Sequence, residues 1–241
     1  MTAYTIDKAI TLFLNGSSNI YIDHWAQTAT QTITWIPLAV LLIYILIRHN
    51  DLVSFVELVL AIALCILIAD QVASSICKPI FARFRPAQDP HIMYAVDVVS
   101  GYRGGLYGFF SSHAANTFAV STFLILLMKN RILTYWLLSW AIINCWTRAY
   151  LGVHYASDLA VGAIWGTATG YFIYQLWLRF CHHSEIWKKT HQEENAIKQR
   201  GKAAAGGFTL GGYSISCIHL LCAGIAVTYL YITLKATWLN L

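Results

Sequence analysis

Arg148, His154 and Asp158 stand together in the stretch Thr147-Arg-Ala-Tyr-Leu-Gly-Val-His-Tyr-Ala-Ser-Asp158, at the joint between two apolar runs, Ile132–Trp146 and Leu159–Leu178. Ionisable groups at the edge of a bilayer are costly unless paired or used, so they mark a functional site by default. His154 and Asp158 are four residues apart and share one face if a helix begins here. A carboxylate behind an imidazole fixes its tautomer and stabilises its positive charge, which prepares a nucleophile or a base. Arg148 adds a planar fork suited to phosphate or carboxylate. An interfacial histidine beside a helix-capping aspartate would explain this stretch taken alone. The other polar clusters argue against so bland a role.

Two such clusters precede it: Lys78-Pro-Ile-Phe-Ala-Arg-Phe-Arg-Pro86 and Phe110-Ser-Ser-His-Ala-Ala-Asn116. Lys78, Arg85 and Arg148 supply fixed positive charge, and Ser111 and Ser112 supply donors. Together they suit the equatorial oxygens of a phosphoryl group, whose charge must be held through the transition state. His154 offers an attacking nitrogen oriented by Asp158. His113 is a second imidazole, able to protonate the leaving oxygen. No carboxylate cluster is present to hold Mg²⁺, since Asp89 and Asp97 are lone loop residues. The inventory therefore points to phosphoryl transfer through a phosphohistidine, with no metal and no cofactor.

The elements that must position these residues are membrane helices. The 241-residue chain is 58% hydrophobic and 11% charged, against about 25% charged in a soluble domain; its mean hydropathy is +0.56. Spanning segments are predicted at Ile33–Ile47, Leu52–Cys77, Ala114–Met128, Ile132–Trp146, Leu159–Leu178 and Tyr213–Lys235. The fold class is thus all-α, a polytopic bundle of six transmembrane helices. Residues 1–29 form an interfacial N-terminal segment: Ile6, Ala9, Ile10 and Phe13 repeat at helical spacing, but the piece is too short to span. Residues 30–180 form the catalytic core, 181–212 a cytoplasmic loop and 213–241 a final helix, all within one membrane domain.

Arg48, Lys129, Arg131, Arg179 and the basic residues of 181–212 fall on one side, which is therefore cytoplasmic. All three polar clusters then open on the opposite face, as do both termini. Basic residues spread among apolar runs exclude nucleic acid as a partner. The six cysteines form no CxxC pair and read as small apolar residues. Gly162, Gly166 and Gly170 form a row for close helix packing. Asp70 and Gln71, about two turns before Lys78, are expected to pair with a neighbouring helix. Tyr102, Arg103, Tyr107, Phe109 and Phe110 suit either a lid or an interfacial aromatic belt.

Lys78-x6-Arg85-Pro86, Ser111-x-His113 and Arg148-x5-His154-x3-Asp158 together resemble the three-part signature of the type 2 phosphatidic acid phosphatase family. Its superfamily includes bacterial lipid phosphate phosphatases, glucose-6-phosphatase and vanadium haloperoxidases. The likeness covers roughly Leu52–Leu178 in order, spacing and membrane setting. It implies His154 as nucleophile, Asp158 as its partner and His113 as general acid, with Lys78, Arg85, Ser111 and Arg148 binding phosphate. Two positions depart from the pattern. Ser112 replaces the usual glycine, adding a Cβ where backbone approaches phosphate, and Thr147 replaces the usual serine.

A site opening at the level of head groups favours a phosphorylated membrane lipid as substrate and partner. The compact chain has a bacterial look, which places it in the inner membrane with its site on the periplasmic face. Undecaprenyl diphosphate is the favoured substrate, with lipid A phosphates and phosphatidylglycerophosphate as alternatives. A vanadate-holding haloperoxidase is a rival within the superfamily; a phospholipid-binding or transport protein without turnover is the rival from another class.

Overall fold

The computed structural model describes residues 3–17, 19–180 and 213–240, so the expected cytoplasmic loop 181–212 lies outside the described residues. Two short helices, α1 (Ala3–Leu14) and α2 (Ile20–Thr30), precede the long ones. α3 spans Thr32–His49. α4 (Leu52–Gln71) runs on through a π-helical turn, Val72–Cys77, into α5 (Lys78–Phe81). α6 (Ser112–Met128), α7 (Arg131–Tyr150), α8 (Ala156–Phe180) and α9 (Ile215–Leu239) follow. An isolated antiparallel bridge joins Phe84 and Tyr107, and the described residues hold no β-strand. The fold is all-α.

Each predicted span falls on a helix. α3, the continuous Leu52–Phe81 helix and α9 are long and apolar enough to cross a membrane, and α6 is a shorter apolar helix. α7 is rich in Trp and Tyr, and α8 adds three Gly to such residues, which lowers their hydropathy. Large apolar side chains such as Ile33, Val40, Leu60, Leu67, Leu230 and Leu234 remain exposed on the outer faces of α3, α4 and α9. Such a surface suits lipid rather than water.

Helix starts are fixed by local chemistry. Asn19, Asp51, Ser111, Asn130 and Ser214 each accept a backbone N–H from the first turn that follows, as N-caps do. α6 and α8 lie in close contact because the glycine row of α8 faces the α6 backbone. A Cβ at Gly162, Gly166 or Gly170 would collide with the carbonyls of Ser111, Ala115 and Ala119 respectively. This contact fixes Ser111–His113 against the start of α8, and Ser111 N–H donates to the Asp158 carbonyl at 3.1 Å.

The core is built mainly from α4, α6, α8 and α9, around Leu58, Cys65, Phe123, Leu127, Trp177, Ile218 and Ile225. Cys65 and Cys222 sit in it as small apolar residues, and the described cysteines are free thiols. Asp70 does not pair across helices as expected. Its Oδ1 accepts from Ser74 on its own helix at 3.3 Å, and Gln71 accepts from Ser75 at 2.8 Å. Residues four apart on one helix face each other closely enough for such bonds.

Candidate active site

The three clusters meet at one end of the bundle. α5 ends at Ala82, a non-glycine residue in the left-handed region (φ 42°), so the chain leaves the helix just before Arg83 and Arg85. The returning loop pairs with this exit. Arg85 N–H donates to the Leu106 carbonyl and Gly108 N–H to the Arg83 carbonyl. Arg85 Nε adds a bond to the Tyr107 carbonyl at 3.1 Å. The loop is packed against the site: Phe110 is buried in the core, Phe109 meets Phe81 edge-on, and Arg103 donates to the Ala87 carbonyl. Tyr102 stays exposed, with the Arg148 guanidinium 5.8 Å from its ring centre.

Lys78 Nζ donates to Ser74 Oγ at 3.1 Å and to Ser112 Oγ at 3.2 Å, joining the first cluster to the second. The hydroxyl that replaces the family's glycine thus anchors the lysine. Ser111 is fully buried and its Oγ accepts from Ala114 N–H, capping α6. Its placement serves the helix start as well as the expected phosphate contact. His113, in the first turn of α6, is exposed, within electrostatic reach of Arg148, His154, Arg85 and Lys78.

Arg148 ends α7 and is 3% exposed. Its Nη1 donates to Thr30 Oγ1 at 2.7 Å, and its buried Nε has no hydrogen-bond partner. Among the described residues no carboxylate forms an ion pair with Lys78, Arg85 or Arg148. Burial and the nearby Arg148 charge both lower the pKa of Arg85 from its ordinary value. Positive charges gathered without a counter-ion, one of them buried and two half-buried, repel one another and are costly to desolvate. An anion entering among them removes that cost. A cluster of this charge and donor set suits an anionic group such as a phosphoryl.

His154 lies in the loop between α7 and α8, 1% exposed, and Asp158 lies in the first turn of α8, fully buried. His154 Nδ1 is 3.7 Å from Asp158 Oδ2. Burial, then the charges of Arg85, Arg148 and Lys78, hold the His154 pKa well below its ordinary value. Both causes favour the neutral imidazole. Nδ1 is turned to the carboxylate, which leaves Nε2 as the nitrogen on the far side of the ring. Asp158 also does what the bland reading expected: its Oδ2 accepts Tyr155 N–H at 3.1 Å.

Two residues that sequence reasoning passed over complete the site. Arg83 Nη1 donates to Asp158 Oδ1 at 2.7 Å; it had counted only as one more basic residue of the first cluster. Gly108 packs so closely that a Cβ there would stand 3.1 Å from Asp158 Oδ2 and 3.2 Å from Arg85 Cγ. Its place in a glycine-rich loop was the available signal.

The PAP2 superfamily model, that of the type 2 phosphatidic acid phosphatases, matches residues 55–181. A lipid A 4'-phosphatase of Bacteroides thetaiotaomicron is 39% identical over 170 residues, covering 70% of this chain and 76% of that protein. A second protein of that name, from Porphyromonas gingivalis, is 32% identical over 173 residues, covering 72% and 73%. No solved structure matches the chain.

Proposed function

The chain belongs to the PAP2 superfamily and is a metal-independent membrane phosphatase; from that premise we propose that it removes the 4'-phosphate of lipid A through a phosphohistidine on His154. The observation that carries the substrate is the 39% identity to a lipid A 4'-phosphatase over three quarters of that protein's length. The favoured expectation of undecaprenyl diphosphate finds no support in these relatives, and the alternative, a lipid A phosphate, fits them.

In this reading Lys78, Arg85, Ser112 and Arg148 take the phosphoryl oxygens, and Ser111 N–H or hydroxyl supports them. His154 Nε2 attacks phosphorus while the bond to the sugar oxygen breaks, and that oxygen takes a proton from His113. Asp158 holds the imidazolium that results. Water then attacks phosphorus, the P–N bond to His154 Nε2 breaks, and the proton of the water goes to His113, which had given up its own. Inorganic phosphate leaves and His154 is free again. Cations held in place before substrate arrives need no reorganisation as charge develops, which is where most of the rate is gained.

In this reading six crossings leave the site and both termini on the periplasmic face of a bacterial inner membrane; residues 181–212, expected in the cytoplasm, lie outside the described residues. Support comes from the alternation of basic residues and from the six helices on which the predicted spans fall. The test is a panel: bis-phosphorylated lipid A, undecaprenyl diphosphate and phosphatidylglycerophosphate, with products read by mass spectrometry beside His154→Ala protein. The expected result is loss of one phosphate from the distal sugar of lipid A, absent in the variant. Faster release from either other lipid would overturn the substrate, and binding without release would favour the transport reading.

A further inference from the structure

We propose that the N-terminal helix α1 is part of the catalytic apparatus, holding Asp158 through an Asp7–Arg83–Asp158 chain and capping the start of α8 with Asp7 and Thr11. This rests on the roles given above to His154 and Asp158. Asp7 and Thr11 lie outside the family match, which covers residues 55–181 and so includes Arg83 and Asp158.

α1 presents its faces in an unusual way. Ile6, Ile10 and Phe13 are exposed at 46%, 45% and 87%, whereas Thr11 is fully buried. Asp7, Thr11 and Asn15 follow one another at four-residue intervals and point at the segment Tyr150–Asp158. Asn15 Nδ2 donates to the Tyr150 carbonyl at 2.8 Å, and Gly16 N–H donates to the same oxygen at 2.9 Å. Thr11 Oγ1 accepts Ala156 N–H at 3.0 Å, and Asp7 Oδ1 accepts Ser157 N–H at 2.9 Å. These are the first N–H groups of α8, which have no partner inside their own helix. The residue at the cap position is Tyr155, whose ring cannot accept them. The cap comes from another helix.

The same Asp7 reaches the catalytic carboxylate. Its Oδ2 accepts from Ser157 Oγ at 2.6 Å and from Arg83 Nη2 at 2.5 Å. Arg83 Nη1 in turn donates to Asp158 Oδ1 and Ser157 Oγ, each at 2.7 Å. One guanidinium fork thus lies between two carboxylates, its plane laid over the Tyr155 ring at 4.1 Å. Tyr155 is itself fixed, since its hydroxyl donates to Asp89 Oδ2, which also accepts from Tyr4 of α1. Arg83 occupies Oδ1 of Asp158 and so leaves Oδ2 for Tyr155 N–H and the imidazole. Neutral or shorter side chains cannot reproduce this fork. Arg83 and Asp7 are therefore positioning residues, acting on His154 only through Asp158.

The experiment uses the full-length protein in detergent with p-nitrophenyl phosphate, which reads the chemistry whatever lipid is natural. Asp7→Asn and Arg83→Gln are measured alone, together, and in an Asp158→Asn background, with His154→Ala as control. Each single variant should lower kcat about tenfold to a hundredfold with KM changed less than about threefold, as for partners that orient a reacting or ligating histidine. The pair should cost no more than Arg83→Gln alone, and in the Asp158→Asn background either change should cost less than about twofold. Asp7→Asn keeps shape and an acceptor for Ser157 N–H; Arg83→Lys serves for the same comparison should Arg83→Gln not fold. Equal losses in both backgrounds, or single variants with unaltered kcat, overturn the proposal. Activity in His154→Ala protein overturns instead the site assignment on which it rests.

Discussion

Asp158 Oδ2 stands 3.7 Å from His154 Nδ1, within ion-pair distance and outside hydrogen-bond distance. Both groups are buried, and Asp158 is tied by Arg83 and Tyr155 N–H so that it cannot swing away. The carboxylate is poised for the imidazolium rather than for the neutral ring, and catalytic contacts of this kind tighten as charge develops. Replacing Asp158 with Asn keeps the volume and removes the charge. The expected outcome is a fall in kcat of about three to four orders of magnitude, as for the equivalent change in a triad, with thermal unfolding in detergent little altered. A loss below tenfold would assign Asp158 to capping alone.

The pH dependence follows from His154, which lies outside the membrane helices. Burial and the charges of Arg85, Arg148 and Lys78 hold its pKa well below its ordinary value. A lowered pKa means that the ring stays neutral, and able to attack, until the pH falls through that lower value. The acid limb of kcat/KM should therefore lie below pH ~6.5, the ordinary histidine value. Arg85→Gln takes away one of the charges responsible. It should move that limb upward while lowering kcat/KM by about two to three orders of magnitude through lost phosphate binding. A limb that moved down in the variant would contradict the electrostatic account.

His113 is assigned the proton for the leaving oxygen. His113→Asn should slow release from a lipid, whose sugar oxygen is a poor leaving group, by about two to four orders of magnitude. An aryl phosphate needs that proton less and should lose less. The comparison is made where phosphoenzyme formation limits both reactions. Equal losses would remove His113 from the role.

The proposed site holds the phosphoryl group with cations of the chain itself, so EDTA should leave turnover unchanged. Vanadate should inhibit competitively, because its trigonal-bipyramidal form matches the transition state that the Lys78, Arg85 and Arg148 cluster fits. Inhibition by EDTA that Mg²⁺ reverses would contradict this.

The all-α fold was legible in the run of apolar segments, and the three polar clusters that it brings together were legible beside it. Lys78, Arg85, His113, Arg148 and His154 were legible because charged residues in apolar chain need a reason, and their spacing narrows the reasons to few. The glycine row of α8 was legible for the same kind of cause, since only close backbone approach requires it. Asp7 and Thr11 were not. A polar residue on a short amphipathic helix looks like a solvated face, and only the fold shows that face turned inward and the apolar one outward. Arg83 was hidden by its neighbours, because nothing in the spacing separates an arginine that meets substrate from one that meets Asp158. Asp70 misled because i, i+4 bonding to Ser74 satisfies it without any second helix. Substrate identity has no such local signature, and relatives rather than spacing supply it.

The most direct measurement is the phosphoenzyme itself. Protein turning over ³²P-labelled substrate is quenched in alkali, where phosphohistidine survives, then digested and mapped by mass spectrometry. The account predicts label on the peptide containing His154, at that residue, accumulating in His113→Asn protein if dephosphorylation slows more than formation, and absent from His154→Ala protein. Label on a different residue, or turnover by His154→Ala protein at more than a few per cent of the unaltered rate, would contradict it.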